Sequence, residues 1–312
     1  MRNTTPIILA LLVCASVSAY AQRYENVKYG DFEHWTVRYI KESGIIGGKT
    51  ATMYMVAPTD TIRENKPYYS RKSIWGSSNA YAVVSGITKV SCSVTPDKGP
   101  TGTCAKLETR MANVKVAGII NVNALAQGSL FWGRTLEPIT GTKNPYAFID
   151  WGIPFTNHPD ALVLNIKSSI PNTGKIIRNN REVSGYDEAE ILLILQYRWE
   201  DEDGKVHAKR VGTACCRIGK SEGWKQLRLP VLYGDISRTS SFKDYMGLKT
   251  GENSLYAVNS KGSKSVILEE GWADAGSPVT HAILSITSGS CGAFTGALGN
   301  TIWVDNVKFE YD

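Results

Sequence analysis

The sequence has few residues of the kinds that carry metal or nucleophilic chemistry. Only four histidines occur in 312 residues, and no Cys/His spacing suits a zinc site. No Gly-rich phosphate loop follows a strand pattern, and Gly289-Ser-Cys-Gly292 does not match the G-x-S-x-G motif of serine hydrolases. These absences argue against metal-dependent hydrolysis, phosphate-loop chemistry and a nucleophile elbow.

Long apolar runs are missing outside the N-terminus. The run at residues 7–13 follows Arg2 and precedes a small-x-small site ending at Ala21, which is the pattern of a cleaved signal peptide. Cys14 would suit a lipoprotein anchor, but the valine before it matches such a site poorly. No other stretch approaches the ~18 apolar residues of a membrane span. We therefore expect residues 1–21 to be removed, and the mature protein to be secreted, periplasmic or on the cell surface.

Charge is not concentrated anywhere along the chain. The net charge is +6, or +5 once Arg2 is removed, and it is spread evenly, so we expect no nucleic-acid partner. With 42% hydrophobic and 21% charged residues, the composition is that of a globular protein. Neither a low-complexity linker nor an internal repeat interrupts it. Residues 22–312 are therefore predicted to form a single elaborated domain, and two domains are the alternative.

Sustained helical periodicity is also missing, and strand-like segments with turn signals take its place. The clearest are residues 50–56, 80–84, 89–94, 103–109 and 160–166. Residues 189–216 form two apolar runs around Asp203-Gly204, which predicts a long hairpin. Only residues 116–128 leave room for one short helix. Many strands without alternating helices predict an all-β fold, either an antiparallel sandwich or a barrel.

The last strand-like segment, TIWVDNVKFEY at residues 301–311, places a charge among apolar residues. Alternation along a strand assigns one face, predicted to be buried, to Trp303, Asp305, Val307, Phe309 and Tyr311. A buried carboxylate is costly unless it is paired, hydrogen-bonded or bound to a metal. We therefore expect Asp305 to have a specific partner.

Five cysteines remain after removal of the signal peptide, so at least one thiol stays unpaired. Cys92 and Cys104 flank the turn cluster TPDKGPTG at comparable distances, as opposed positions on a hairpin would. Export permits oxidation. We predict a Cys92–Cys104 disulfide. The alternative is two small buried residues on adjacent strands.

Both ends of the mature chain carry a recognisable pattern. Residues 29–35 read YGDFEHW, and the last strand contains W-V-D-N-V-x-F. This pair resembles the ends of jelly-roll carbohydrate-binding modules of galactose-binding-like fold. The resemblance implies that the first and last strands lie together, and that Glu33 and Asp305 share a structural calcium ion. Calcium takes six to eight oxygen ligands, so Asp31 and backbone carbonyls would complete the shell.

A second resemblance covers nearly the whole mature chain. It rests on six segments in order: SSNAYA (77–82), GTCAKLETR (102–110), AGIINVNALAQGSLFWG (117–133), PFTNHPDALVLNIK (154–167), GWKQLRLPVLY (223–233) and LGNTIWVDNVKFEY (298–311). Together they resemble the putative carbohydrate metabolism domain family of secreted bacterial proteins. The family usually has Arg-Pro at His158-Pro159 and a Tyr-rich run at VLNIK, which implies a different ligand if those positions line a site. The resemblance implies a jelly-roll sandwich with long loops.

The aromatic content suits a carbohydrate partner. Eight Trp and fifteen Tyr against seven Phe form a polar-tipped set, and such rings stack on the C–H faces of sugars. Three indoles lie in turn-rich stretches, and two asparagines beside them would donate hydrogen bonds. The predicted ligand-binding residues are Trp75, Trp132, Trp151, Asn79 and Asn144. The alternative is that these indoles pack under long loops as core.

Two other function classes stay open. A glycoside hydrolase would need two carboxylates across a cleft. Six acidic residues are candidates, and the sequence does not pair them: Glu108, Glu137, Asp150, Asp187, Glu188 and Glu190. No catalytic residue is therefore assigned. The third class is a surface subunit with a structural or adhesive role.

Overall fold

The computed structural model describes residues 22–116 and 120–312, and nearly all of their regular structure is β-strand. The predicted signal peptide at residues 1–21 lies outside this part of the chain. In chain order the strands are β1 (Arg23–Asn26), β2 (Trp35–Lys41), β3 (Thr50–Val56), β4 (Asp60–Ile62), β5 (Trp75–Ser77), β6 (Ala80–Val84), β7 (Ile87–Ser91), β8 (Val94–Lys98), β9 (Thr103–Glu108), β10 (Arg110–Val116), β11 (Ile120–Ala126), β12 (Ser129–Thr135), β13 (Ile149–Trp151), β14 (Ile153–Pro154), β15 (Ala161–Ser169), β16 (Lys175–Arg178), β17 (Arg181–Ser184), β18 (Ala189–Glu200), β19 (Val206–Ile218), β20 (Lys225–Pro230), β21 (Leu232–Tyr233), β22 (Tyr256–Val258), β23 (Lys264–Trp272), β24 (His281–Thr287) and β25 (Thr301–Tyr311). Short 3-10 helices span Gly44–Ile46, Pro145–Phe148, Asp244–Met246 and Gly251–Asn253. In the described residues no helix is long and apolar enough to cross a membrane.

Two sheets form the body of the molecule. The first has the order β20-β15-β25-β9-β8, with β1 added beside β25. The second has the order β13-β12-β24-β18-β19-β23-β22, with β14, β21 and β5 joined to β24, β19 and β12. Most neighbours are antiparallel, and β19 with β23 is a parallel pair. The predicted all-β sandwich of jelly-roll type is confirmed.

The main core lies between the two sheets. Alternate residues of β15 and β25 point into it from the first sheet, and alternate residues of β18 and β24 from the second. Among them are Leu162, Leu164, Ile191, Leu193, Leu284 and Ile302, all completely buried. Burying each such side chain contributes about 1.5–3 kcal/mol, so this layer is the chief source of stability.

The second sheet is buried on its outer face as well. The run Ile191–Leu195 is apolar at every position, as expected for a strand that is covered on both sides. Residues 234–258, with Ile236, Met246 and Leu255, pack on Ile194 and Ile283 of that face. This cover is incomplete at one end of the sheet, where an open cavity begins.

The smaller hairpins show where the strand predictions were accurate. Strands β3 and β6 have the bounds predicted from the strand-like segments, and β18 with β19 forms the predicted hairpin around Asp203-Gly204. The alternative of a short helix within residues 116–128 is wrong for Ile120–Ala126, which is strand β11. Residues 117–119 lie outside the described residues.

The terminal strand β25 corrects one prediction. Its register against β15 shifts between Asp305 and Lys308, and Asn306 has a positive φ of 53°, which together mark a β-bulge. The bulge reverses the alternation, so Ile302 and Val304 face the core before it and Val307 and Phe309 after it. Trp303 faces the other way, and the expected single row of five residues is wrong.

The register of the β8–β9 hairpin corrects the predicted Cys92–Cys104 disulfide. Strand β8 includes the first half of the predicted turn cluster, so Asp97, not Cys92, lies opposite Cys104. Cys92 lies before β8, and its thiol faces the carbonyl of Val94 at 3.4 Å. Both thiols are free, and burial raises the pKa of Cys104 to about 12. The predicted disulfide is therefore wrong. The alternative of two small buried residues on adjacent strands holds for Cys104 only, because Cys92 is partly exposed and lies between β7 and β8.

Candidate functional site

The three indoles predicted to form an exposed platform are all buried. Trp75, Trp132 and Trp151 expose 5%, 1% and 6% of their surface. Trp75 pairs with Trp132 across β5 and β12, their ring centroids lie 6.2 Å apart, and Trp75 Nε1 donates to the Lys28 carbonyl. An exposed platform at these residues is therefore wrong. Trp151 alone differs, because it lines a cavity from the side.

The two asparagines have structural partners. Asn79 is buried, accepts hydrogen bonds from the amides of Ser93 and Val94, and donates to the carbonyls of Tyr54 and Val94. All its hydrogen-bonding capacity is used, so it ties strands together although it borders the same cavity. Asn144 is exposed and donates to the Tyr256 hydroxyl at 2.8 Å.

Most of the candidate carboxylates are likewise engaged. Glu137 forms a buried pair with Arg38 at 2.8 Å, and burial raises the pKa of Glu137 more than that arginine lowers it. Asp150 accepts from Arg134 Nε and from the Val258 amide. Asp187 accepts five hydrogen bonds and thereby holds the loop that follows β24. Glu108 and Glu188 are not in the cavity.

The cavity, of about 760 Å³, lies on the outer face of the ten-stranded sheet. Its floor consists of two rows of side chains that strand register places side by side. The first row is polar and comprises Ser129, Thr287, Glu190 and Arg217. The second is mostly apolar and comprises Phe131, Ser285 and Leu192. The floor therefore changes from apolar to polar over two residues along each strand.

Aromatic side chains from three other segments form the walls. Trp151 packs on Phe131 with ring centroids 4.9 Å apart, and its buried Nε1 has no hydrogen-bond partner in the structure. Tyr146 lies in the 3-10 helix before β13, and burial raises the pKa of its hydroxyl. Tyr245 also lines the cavity and comes from the segment that covers the outer face of the sheet. Trp151 therefore contributes an apolar part of the wall.

Charged groups gather at the polar end. Arg217 Nε donates to Glu190 Oε2 at 3.1 Å, and its guanidinium lies 4.3 Å from the Tyr245 ring centre. Lys249 also lines the cavity; burial lowers its pKa, and the negative charge of Glu190 partly opposes that shift. The arrangement offers both hydrogen-bond donors and an acceptor beside aromatic rings.

Comparison with known proteins gives the family. Residues 31–265 match the model of the putative carbohydrate metabolism domain. The chain belongs to that family. No curated protein matches it.

Solved structures resemble this carbohydrate metabolism domain at low identity. A putative glycoside hydrolase from Bacteroides thetaiotaomicron is 20% identical, covers 88% of this chain and 70% of its own, and has a TM-score of 0.50. A putative glycoside hydrolase from Bacteroides vulgatus is 15% identical over 92% of this chain and 94% of its own, with a TM-score of 0.48. A family 11 carbohydrate-binding module from Clostridium thermocellum is 12% identical over 76% and 87%, with a TM-score of 0.30. The first likeness shows the fold.

Several cavity residues of the carbohydrate metabolism domain went unnoticed in the sequence. Arg217, Tyr245 and Lys249 belong to no motif, and two of them come from the segment that covers the sheet. Glu190 was one candidate among six. The alternation of Glu190, Leu192 and Ile194 along β18 was a usable signal, because it puts Glu190 on the outer face.

The residues predicted to bind calcium lie where the chain ends meet. Strand β1 pairs with β25, and Val307 exchanges backbone hydrogen bonds with Val27 and Gly30. Asp305 is 1% exposed, its Oδ2 has no partner, and burial, with smaller contributions from Glu33 and Asp31, raises its pKa to about 6. Glu33 Oε1 instead accepts from the Thr103 amide. In the described ranges no group of three such side chains is assembled for a metal.

Proposed function

We propose that this carbohydrate metabolism domain binds a saccharide in the cavity on the outer face of its ten-stranded sheet. The observation that carries the proposal is the composition of the floor and walls. Apolar Phe131 and Leu192 lie beside Ser285 and Thr287, and aromatic rings stand around them. Sugars present C–H faces and hydroxyls close together, so they need apolar and hydrogen-bonding groups at short spacing. The volume of about 760 Å³ is in the range of small-molecule sites, ~300–1,000 Å³.

Filling the cavity tests this function. Ser285→Phe places a ring at the centre of the floor, and Ser263→Phe, at an exposed turn, is the matched control. The probes are disaccharides and hexasaccharides of β-1,4-glucan, β-1,3-glucan, β-1,4-mannan, β-1,4-xylan and α-1,4-galacturonan, measured by titration calorimetry. The unmodified protein should bind at least one probe, Ser285→Phe should weaken it at least tenfold, and Ser263→Phe should not. Absence of binding to every probe, or binding unchanged by Ser285→Phe, contradicts the proposal.

A second candidate function is glycoside hydrolysis in the same cavity. Glu190 and Asp244 are the two carboxylates among its described lining residues, and hydrolysis of this type uses a pair. If the domain is a hydrolase, Glu190→Gln should abolish release of reducing ends from a bound hexasaccharide while binding persists. Glu108→Gln, outside the cavity, should leave the rate unchanged. No release by the unmodified protein would leave saccharide binding as the function.

We further propose that Asp305 holds a structural calcium ion together with Glu33, as the resemblance implied. The support is the orphaned, buried Oδ2 of Asp305, which an ion would satisfy. Glu33 would have to turn from the Thr103 amide toward Asp305. Calcium binding to the folded form alone raises the melting temperature, so excess chelator should lower it, and Asp305→Asn should remove that sensitivity. An unchanged melting curve with no calcium in elemental analysis would reject the ion.

A further inference from the structure

A second cavity adjoins the first at its polar end. It measures about 580 Å³ and shares three lining residues with the larger cavity, namely Arg217, Ser290 and Cys291. Because the same side chains border both spaces, the two cavities lie next to each other. Together their linings extend from the floor of the ten-stranded sheet to the exposed side chain of Tyr186. We call the second cavity the outer groove.

The junction between the two cavities is held in place by hydrogen bonds. Arg217 is fixed by Glu190 on one side and by the Tyr245 ring on the other. Ser290 donates its amide to Asp187 Oδ1 at 2.8 Å, and the second oxygen of Asp187 accepts from the Ala297 amide at 2.9 Å. Asp187 is itself buried, so this support does not depend on solvent. A ligand crossing the junction would meet groups that are already positioned.

The outer groove ends at an unusually exposed aromatic ring. Tyr186 lines it and is 72% exposed, more than any other large hydrophobic side chain in the described residues. Exposed aromatic rings provide stacking surfaces at little entropic cost, and their enrichment in binding sites follows from this. Asn172 and Lys220 line the same groove and supply polar groups beside the ring.

The charges of the two linings cancel. The described lining residues include four basic side chains and four acidic ones: Lys89, Arg217, Lys220 and Lys249 against Asp187, Glu188, Glu190 and Asp244. A polyanion would need an excess of basic groups for electrostatic complementarity. The balance therefore favours a ligand without net charge.

We propose that the domain binds a neutral oligosaccharide longer than two sugar units, which runs from the cavity past Arg217 and stacks on Tyr186 in the outer groove. This inference rests on the proposed saccharide-binding function. It adds that the saccharide is longer than two units and uncharged, and that Tyr186 determines the preference for longer chains.

The test compares chain lengths on the full chain. With the same series of disaccharides and hexasaccharides, the unmodified protein should bind a neutral hexasaccharide at least tenfold more tightly than the matching disaccharide. Tyr186→Ala should weaken the hexasaccharide about three- to tenfold, the range expected for losing one aromatic stack, and leave the disaccharide unchanged. The matched control is Tyr197→Ala, which removes a ring that is 40% exposed and lines neither cavity.

Each contrary result of this experiment rejects a specific part of the proposal. Equal affinity for both lengths, or a hexasaccharide affinity unchanged in Tyr186→Ala, rejects the path through the outer groove and leaves saccharide binding intact. Preference for the galacturonan probe rejects a neutral ligand. Failure of every probe rejects the proposed function and this inference with it. Melting temperatures equal to that of the unmodified protein would show that Tyr186→Ala acts on binding and not on folding.

Discussion

Strand β19 carries two arginines on the outer face of the ten-stranded sheet, and each meets a glutamate from a neighbouring strand. Arg210 contacts both oxygens of Glu269 at 2.6 Å and also reaches Thr213 and the carbonyls of Met246 and Gly247. Its side chain is completely buried. Arg217 donates from Nε to Glu190 at 3.1 Å, and its side chain is 32% exposed.

The difference separates a structural pair from the pair that we propose takes part in binding. A guanidinium has five N–H donors, and Arg210 uses all of its nitrogens within the protein. Glu269 is saturated too, since it also accepts from Gln196 and the Lys249 amide. Arg217 lines two cavities, and in the described residues only its Nε has a hydrogen-bond partner. Two arginine–glutamate pairs on one strand therefore differ in function. The first uses its hydrogen-bonding groups within the protein, and the second keeps donors that a ligand could use.

The strongest test of this difference is to replace Glu269 and Glu190 separately. Glu269→Gln leaves the Arg210 charge buried without its counter-ion, so we expect a loss of about 3–5 kcal/mol in the free energy of unfolding. Glu190→Gln should cost less than about 1 kcal/mol, because its partner is partly exposed. Urea unfolding at pH 7 measures both. Similar losses for the two variants would mean that the pairs do not differ in the way described.

Removing the second arginine should affect binding more than stability. In Arg217→Ala we expect affinity for a bound hexasaccharide to fall about tenfold or more, since a hydrogen bond to a charged group contributes about 1.5–3 kcal/mol. The control is Arg63→Ala, because Arg63 also stacks on a tyrosine, Tyr39, but lies in neither cavity. Calorimetry gives the affinities and thermal melting the stability. Undiminished affinity in Arg217→Ala would place the ligand away from the junction.

The sequence predicted the sheet better than the site, for a physical reason. Strand-like residue runs and the turn signals between them are local, and they sufficed for β3, β6 and the β18–β19 hairpin. They do not report pairing between distant strands. Trp75 lies in a turn-rich stretch of the sequence, yet Gly76 beside it belongs to β5 and pairs with Phe131. Only glycine fits there, because a Cβ would come within 2.3 Å of the Phe131 ring. That pairing between β5 and β12 buries Trp75 and Trp132.

The terminal strand shows a second limit. Asn306 has a left-handed conformation. Because of it, even-numbered residues face the core before Asn306 and odd-numbered residues face the core after it. Nothing in the alternation of TIWVDNVKFEY announces it, because an asparagine tolerates that conformation without requiring it. Arg210 and Arg217 illustrate the same point for the site. Both are arginines in one strand, and only the number of partners around each side chain distinguishes them.

The smallest expected effect concerns pH. Burial alone would raise the pKa of Glu269, but the charge and hydrogen bonds of Arg210 outweigh it, so the pKa lies below its ordinary value of 4.5. A carboxyl with a lowered folded-state pKa contributes stability that is fully present above 4.5 and is lost as pH falls through the folded-state value. The gap in unfolding free energy between the unmodified protein and Glu269→Gln should therefore narrow below pH 4.5.

For one proton, that narrowing is at most about 1.4 kcal/mol per pH unit. The other carboxyl groups titrate in both proteins, so their contributions cancel in the difference. Urea unfolding of both proteins at pH 7, 4.5 and 3 measures the gap, and the small difference between the unmodified protein and Glu190→Gln serves as the reference. If the difference in unfolding free energy between the unmodified protein and Glu269→Gln stays constant down to pH 3, Arg210 does not stabilise the ionised carboxylate. The region around Arg210 and Glu269 would then be stabilised by packing alone.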